Sequence, residues 1–404
     1  MNMPGLLPVL AVVAAILAVA GVGQAVAGLL SVRRFSRDKS PDAAALPGLT
    51  LLKPLYGDEP LLEAALASVC AQNYPDFQIV FGVQDASDPA IEVVHRLQER
   101  FAHRRIDLVV NTAQHGKNRK VSNLINMFPA AAHDVIVIAD SDLHCSPDYL
   151  TRIMAEFAVP NTGLVTTLYA GLAANTSLAA RLGATAINHG FLPGALMSRD
   201  LNREDCLGAT MALRRETLLA IGGLPALVDH IADDNVLGCL VRQTGQRIRI
   251  AGTVPATTVP EARLDALFRH ELRWSRTILS LVPAAFALSS IQFPLFWAGL
   301  AFALSGGSLW ASALFLAAWV VRAAAAAAID ATLGLVAGGR ATPAPFLLLP
   351  LRDLLSIVII LASYANDRVE WRGQMMHIGV TEPSEPEISR QSQQEVPSQG
   401  TVLS

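Results

Sequence analysis

Residues 4–32 contain no charged side chain, and this run limits what the start of the chain can form. About 20 predominantly apolar residues suffice to cross a bilayer as a helix, so the run predicts a membrane-spanning segment. It lacks the basic start of a secretory signal and is longer than the apolar part of one, which favours a retained anchor. The basic residues Arg33, Arg34, Arg37 and Lys39 follow at once. Because such residues gather at the cytoplasmic end of a span, the chain after the anchor is predicted to be cytoplasmic.

The C-terminal third predicts about three further spans, at Leu281–Leu304, Leu309–Ile329 and Phe346–Tyr364. The whole chain is 52% hydrophobic and 16% charged, whereas soluble domains have about 25% charged residues. Arg352 and Asp353 fall inside the third span, where charged side chains are expected to pair or to face protein. Four spans would place the C-terminal tail outside the cytoplasm and three would keep it inside, and both remain open.

Between these apolar ends, short apolar strands alternate with helical patterns. The predicted strands are 49–52, 77–83, 106–110, 135–139 and 207–213, and the predicted helices are 60–72, 89–101, 120–127, 147–157 with Ser146 as N-cap, 231–243 and 261–281. Continuous apolar strands separated by helices predict an α/β domain with a doubly wound, mostly parallel sheet. The predicted organisation is an anchor at 4–32, this α/β domain at 45–280, C-terminal membrane helices at 281–365 and a disordered tail at 381–404.

The strand at 135–139 ends in the sequence Asp140-Ser141-Asp142. Ligands of parallel sheets bind beyond the carboxyl ends of the strands, which is where these carboxylates fall. Hard cations prefer oxygen ligands, and Mg²⁺ typically takes one or two carboxylates together with substrate phosphates. Asp140 and Asp142 are therefore predicted to bind Mg²⁺ or Mn²⁺ beside a diphosphate. Glycine-rich dinucleotide and P-loop motifs are missing from the sequence, and the net charge of −3 gives no reason to expect nucleic acid as a partner.

Five motifs follow one another in a characteristic order: Gln84-Asp85, Gly116–Leu124, Asp140–Asp142, Asp233-Asp234 and Arg273-Trp274. In this order and spacing, roughly residues 45–380 resemble the ceramide glucosyltransferases and their bacterial relatives. The resemblance implies membership of the family 2 glycosyltransferases. Each motif alone is common, and the specificity lies in the combination.

The resemblance implies a GT-A fold, a UDP-sugar donor and transfer to a lipid hydroxyl with inversion. It implies the following roles: Asp234 as general base, Asp85 near the uridine, Lys120 and Asp140 at the diphosphate, Asp140 and Asp142 at the metal, Arg273 and Trp274 at the nucleotide sugar, and His189 at the acceptor. The family motif begins with Gln or Arg where this chain has His270, which puts a phosphate contact by that residue in doubt.

The residues alone leave several alternatives open. Spacing does not separate Asp233 from Asp234 as the base, and only the resemblance favours Asp234. Asp85 is equally compatible with a helix cap. Arg273 and Trp274 also suit a membrane interface, and His189 equally suits a structural role in a turn.

The predicted function is an inverting hexosyltransferase that builds a β-glycolipid at the membrane, with ceramide as the first acceptor. A hopanoid polyol, bacteriohopanetetrol, is the alternative acceptor, and the donor is UDP-glucose or UDP-N-acetylglucosamine. The alanine-rich composition suits a bacterium, so the inner membrane is the predicted location. A polysaccharide synthase and a non-catalytic membrane binding protein are weaker alternatives, and the oligomeric state stays open.

Overall fold

The structure is a computed structural model that describes residues 6–38, 41, 46–365, 368–371 and 374–377. Its strands, in chain order, are β1 (Leu49–Pro54), β2 (Phe77–Val83), β3 (Arg105–Val110), β4 (Val135–Ala139), β5 (Leu143–His144), β6 (Thr162–Thr166), β7 (Ala170–Ala173), β8 (Thr210–Arg214), β9 (Arg247–Ile250), β10 (Ala256–Val259), β11 (Arg368–Trp371) and β12 (Gln374–His377). The tail predicted to be disordered, 381–404, lies outside the described residues.

The main sheet has seven strands in the order β3-β2-β1-β4-β8-β6-β9. The first four are parallel, whereas β8 runs antiparallel to both β4 and β6. Hydrophobic residues of β1, β2 and β4 are buried on both faces of the sheet, as their continuous apolar sequences require. The carboxyl ends of β1, β2 and β4 therefore meet at one edge, and the start of β8 lies beside the end of β4.

The helices are α1 (Leu6–Arg37), α2 (Leu62–Cys70), α3 (Ala90–Arg100), α4 (Arg119–Met127), α5 (Tyr149–Glu156), α6 (Leu178–Ala186), α7 (Leu192–Asp200), α8 (Arg215–Ala220), α9 (Asp233–Gln243), α10 (Leu264–Leu281), α11 (Pro283–Leu288), α12 (Pro294–Leu304), α13 (Leu309–Val336) and α14 (Leu349–Ser363). The predicted β2 and β4 match residue for residue, and the predicted helices agree to within a few residues. The prediction of Ser146 as an N-cap is wrong. Tyr149 N–H donates to the Ser146 carbonyl at 3.1 Å, so Ser146 opens a turn and Asp148 precedes α5.

A second, three-stranded sheet has the order β5-β10-β7. It was not predicted, because β5 has two residues and its partner β10 lies more than a hundred residues further along the chain. Thr258 N–H donates to the Asp142 carbonyl at 3.2 Å. This sheet therefore holds the Asp140-Ser141-Asp142 loop from the side opposite β4.

Among the described residues, three helical segments are long and apolar enough to cross a membrane: α1, α13, and Phe346–Ser363, which contains α14. The stretch predicted as one span at Leu281–Leu304 instead contains two helical pieces, Pro283–Gln292 and Pro294–Leu304, bent by 69°. Proline lacks an N–H and keeps the preceding residue out of the helical region, so Pro294 interrupts the helix at Phe293. If the bent pair is one span, the described part of the chain has four.

The two charged residues of α14 are buried and both have partners. Arg352 forms two bonds of 2.7 Å with Glu271 of α10. Asp353 lies 3.8 Å from Arg322 of α13 and accepts the Leu295 N–H of α12 at 3.1 Å. The expectation that charges in this segment pair within the protein is met by these contacts.

Candidate active site

The Asp140-Ser141-Asp142 loop lies at the carboxyl end of β4 and is fixed at each of its three residues. The buried Lys53 ammonium, at the end of β1, donates to the Asp140 carbonyl at 2.5 Å. The Ser141 hydroxyl donates to Glu59 at 2.7 Å. The Thr257 hydroxyl of β10 donates to the Asp142 carboxylate. The loop is thereby preorganised, since its backbone and side chains have protein partners on both flanks.

Lys120, at the start of α4, brings a cation to the same place. Its ammonium lies 2.6 Å from Asp140 Oδ1, and its side chain is 17% exposed. Burial alone would lower the pKa of Lys120, but the carboxylates of Asp140 and Asp233 outweigh burial and raise it. Lys120 therefore stays charged and lies between the loop after β4 and the start of α9.

Asn118 joins these two regions. Its side-chain oxygen caps α4 by accepting the Val121 N–H at 3.1 Å. Its amide nitrogen donates to the His230 carbonyl at 2.8 Å and lies 3.3 Å from Asp233 Oδ1. The loop that precedes α4 and the loop that precedes α9 are thus held together by one side chain.

Asp233 and Asp234, in the first turn of α9, differ in environment. Asp233 is 8% exposed, and its Oδ1 faces the Asn118 amide nitrogen. Asp234 is half-buried and lies against Gly208, where a Cβ atom would be only 2.9 Å from Asp234 Oδ2. Glycine at 208 therefore makes room for the Asp234 carboxylate. Of the two residues, Asp234 is the more accessible to a substrate.

Electrostatics in the cleft raise the pKa values of three carboxyl groups, those of Asp142, Asp233 and Asp234. Burial, followed by repulsion from Asp233, raises the pKa of Asp234 to about 6. Burial, followed by repulsion from Asp140, raises the pKa of Asp142 to about 6. The cleft concentrates negative charge, which a divalent cation would relieve.

The donor set fits a cation that is shared with a substrate. Within the described part of the chain, no three His, Cys, Asp or Glu side chains converge to hold a metal by themselves. The carboxylates of Asp140 and Asp142 would supply two hard oxygen ligands, which is the number Mg²⁺ commonly takes from protein when phosphates complete its coordination.

Asp85, predicted near the uridine, follows β2 at the same edge of the sheet. Its carboxylate accepts the Ser87 N–H at 2.8 Å and the Ser87 hydroxyl at 2.7 Å, and these bonds lower its pKa. The helix-cap alternative falls to a different residue, because Asp88 accepts the Ala90 N–H at 2.9 Å. Asp85 forms a turn and remains exposed.

The aromatic residues on the other side of the cleft come from the loop between β6 and β7, from the turn at Ile187–Phe191 and from α10. Trp274 of α10 packs against the same buried cluster as Tyr169 and Phe191, and the rings of the latter two stack with centroids 4.6 Å apart. Burial, followed by the negative charge of Asp234 and then Asp140, raises the pKa of Tyr169. Tyr169 therefore connects the carboxylates to the helix that carries the predicted Arg273-Trp274 pair.

His270, which departs from the family motif, is held within the protein. Its Nδ1 is hydrogen-bonded to Glu261, and its ring meets Trp274 edge-on at 4.6 Å. His270 therefore helps to orient Trp274.

His189 is placed away from solvent, in a π-helical turn over Ile187–Phe191. Its side chain is fully buried, with Nε2 2.9 Å from Asp330 Oδ1 on α13. It also lines a cavity of about 20 Å³ with Gln24 and Arg322. This placement matches the structural alternative left open by the sequence.

Four residues at the site were not predicted: Glu59, Tyr169, Gly208 and Thr257. None belongs to a motif, and each reaches the cleft through contacts distant in sequence. Lys53 also lies outside the motifs and reaches Asp140 from the end of β1.

The fold is that of the GT-A glycosyltransferases. The mannosyltransferase PcManGT from Pyrobaculum calidifontis, solved with GDP-Man and Mn²⁺, matches with a TM-score of 0.51 at 19% identity, over 88% of this chain and 99% of that one. The family model of Glycosyl transferase family 21 matches residues 13–382, and the chain belongs to this family. The sequence resemblance was assigned to glycosyltransferase family 2, whereas the matching model is that of family 21.

Two curated relatives bear on substrates. The ceramide glucosyltransferase of Komagataella phaffii is 32% identical over 156 residues, which cover 37% of this chain and 30% of that protein. The N-acetylglucosaminyltransferase of Neorhizobium galegae is 25% identical over 263 residues, which cover 60% of this chain and 57% of that protein. The matches thus span less than two thirds of either relative.

Proposed function

We propose that this protein is a membrane-bound inverting glycosyltransferase that moves a sugar from a UDP-sugar to the hydroxyl of a membrane lipid, with ceramide as the first acceptor. The observation that carries the proposal is the position of Lys120, which contacts Asp140 and is held charged by Asp140 and Asp233. Lys120 thereby links the residues proposed to bind the diphosphate with the helix that carries the proposed base.

In this mechanism Asp234 is the general base. A lipid hydroxyl is too weak an acid to attack unaided, and a carboxylate within hydrogen-bond reach typically contributes about 10²–10⁴-fold to the rate. The hydroxyl oxygen bonds to the anomeric carbon, its proton passes to Asp234, and the bond from that carbon to the diphosphate oxygen breaks with its electron pair leaving on UDP. Attack opposite the leaving group turns an α-linked donor into a β-glycoside.

The leaving UDP gains negative charge, and Lys120 is placed to stabilise it. Asp140 and Asp142 would hold Mg²⁺ or Mn²⁺, which supplies further charge neutralisation at the diphosphate when bound. Asp85 is proposed to contact the uridine, and Arg273 and Trp274 to contact the nucleotide sugar.

The lipid acceptor is supported by the apolar helices that flank the catalytic part and by the activity named for the Komagataella relative. The activity named for the N-acetylglucosaminyltransferase relative supports UDP-N-acetylglucosamine as the alternative donor. Bacteriohopanetetrol stays the alternative acceptor on the sequence resemblance alone. We assign the catalytic part to the cytoplasmic side of the membrane, because Arg33, Arg34 and Arg37 follow the apolar part of α1. The alanine-rich composition supports a bacterial inner membrane as the location. We propose a structural role for His189, because its side chain is buried against Asp330.

The test uses the full chain in lipid nanodiscs with Mn²⁺ or Mg²⁺. Each UDP-sugar is paired with ceramide and with bacteriohopanetetrol, and the product is analysed by mass spectrometry and by the NMR coupling at its anomeric carbon. A β-glycolipid from one pairing is the expected result. An α-linked product would refute inversion, and UDP release without any glycolipid would refute a lipid acceptor.

A further inference from the structure

Helix α14 contacts the catalytic part through apolar side chains and through a buried ion pair. Both terminal nitrogens of Arg352 bond to Glu271 of α10, each at 2.7 Å. The two side chains are 3% and 14% exposed. A bidentate pair of this kind fixes direction as well as distance, because the guanidinium and the carboxylate must lie in matching planes.

The remaining donors of Arg352 are also engaged. Nη1 lies 3.3 Å from the Leu182 carbonyl of α6, and Nη2 donates to the Ser356 hydroxyl at 2.9 Å. Leu267 of α10 packs with Leu182 in the same region. Arg352 therefore holds α10 against α6 and α14 at one point.

The next residue in the chain connects α14 to the membrane helices. Asp353 faces Arg322 of α13 and accepts the Leu295 N–H of α12. Adjacent residues on a helix point about 100° apart, so Arg352 and Asp353 reach different partners. Together they set the position of α10 relative to α12 and α13.

Helix α10 carries the side chains proposed to contact the donor. Arg273 follows Glu271 by two residues, about 200° around the helix, and Trp274 follows by three. Glu271 restrains the rotation of α10 in addition to the apolar packing of Leu267 and Leu279, and with it the positions of these two side chains. Small displacements matter here, since binding geometry tolerates errors of only about 0.5 Å.

We propose that Arg352 and Glu271 are positioning residues for the donor site: they hold α10 so that Arg273 and Trp274 meet the nucleotide sugar. The inference rests on the proposed function in one respect, the role of Arg273. Beyond that function, we infer that Arg352, in the membrane-associated C-terminal region, influences the affinity for a nucleoside diphosphate.

The test measures binding of UDP with Mn²⁺ to the full chain in nanodiscs by calorimetry. The variants are Glu271→Gln, which keeps size and removes charge, and the double variant Glu271→Met with Arg352→Met, which leaves no buried charge unpaired. The matched control is Arg269→Gln on the same helix, whose side chain is 70% exposed. Arg273→Ala is the reference. Each variant is also melted to establish that it is folded.

We expect both pair variants to weaken UDP binding about tenfold and Arg269→Gln to leave it unchanged. A folded pair variant with a lower melting temperature and unchanged UDP affinity would show a merely structural pair and overturn the inference. If Arg273→Ala weakens UDP binding while the pair variants do not, only the inference fails. If Arg273→Ala also has no effect, the donor role of Arg273 in the proposed function fails as well.

Discussion

The dependence of activity on pH follows from the pKa of Asp234, which burial and then Asp233 raise to about 6. A general base acts only when deprotonated, so activity is present above this pKa and is lost as pH falls through it. One unit below the pKa, about one eleventh of the groups are ionised, and kcat/KM is expected about tenfold below its plateau. An ordinary aspartate, with a pKa near 3.9, would show almost no loss there.

The assay measures initial rates at saturating Mn²⁺ from about pH 4.5 to 8, with the protein in nanodiscs. Unfolding driven by Asp234 does not explain such a loss. A raised carboxyl pKa means that the folded state binds its proton more tightly than the unfolded state, so this group favours folding as pH falls. The control variant is Asp85→Asn. The Asp85 carboxylate is exposed, so this variant should keep the acidic limb of the pH profile. An acidic limb with its midpoint near 4 would refute the assignment of Asp234 as a base tuned by burial.

Three further predictions concern neighbouring residues. Gly208→Ala is expected to lower kcat about tenfold or more with little effect on UDP affinity, because the new methyl would lie 2.9 Å from the Asp234 carboxylate; wild-type kcat would contradict this. Lys120→Met should lower kcat/KM for the UDP-sugar by about 10²-fold, since the leaving group and Asp140 lose their cation, and steady-state kinetics check it. Asp142→Asn should weaken Mn²⁺ binding in the presence of UDP, as measured by electron paramagnetic resonance of free Mn²⁺, and unchanged Mn²⁺ affinity would remove Asp142 from the cation site.

The parallel half of the sheet could be predicted because its signals are local. Phe77–Val83 and Val135–Ala139 are apolar at every position except Gln78 and Gly82, and polar residues bound each run. Burial on both faces requires such sequences, so strand type and bounds agree with the structure. The carboxylates after β4 could be placed at the ligand-binding edge for the same reason.

The second sheet and the supports of the site depend on contacts between distant residues. Ser141 meets Glu59, and Asp142 meets Thr257, across sequence separations of 82 and 115 residues. The hydrophobic periodicity of a sequence does not reveal such distant pairs. The bend at Phe293 could have been foreseen, since Pro294 lies inside the apolar stretch that was predicted as one span.

The choice between Asp233 and Asp234 also needed three dimensions. Adjacent carboxylates in the first turn of a helix look alike in sequence, and both complement the helix dipole. The structure separates them because Asn118 faces Asp233, whereas Gly208 leaves space beside Asp234.

The most direct test of the central claim is Asp234→Asn, measured for both turnover and UDP binding. The amide keeps the size of the carboxylate and removes its ability to accept a proton, so glycolipid formation should fall by about 10²–10⁴-fold. UDP affinity with Mn²⁺ should stay close to wild type, because Lys120 and Asp140 are intact. An Asp234→Asn enzyme that turns over at the wild-type rate would contradict the account.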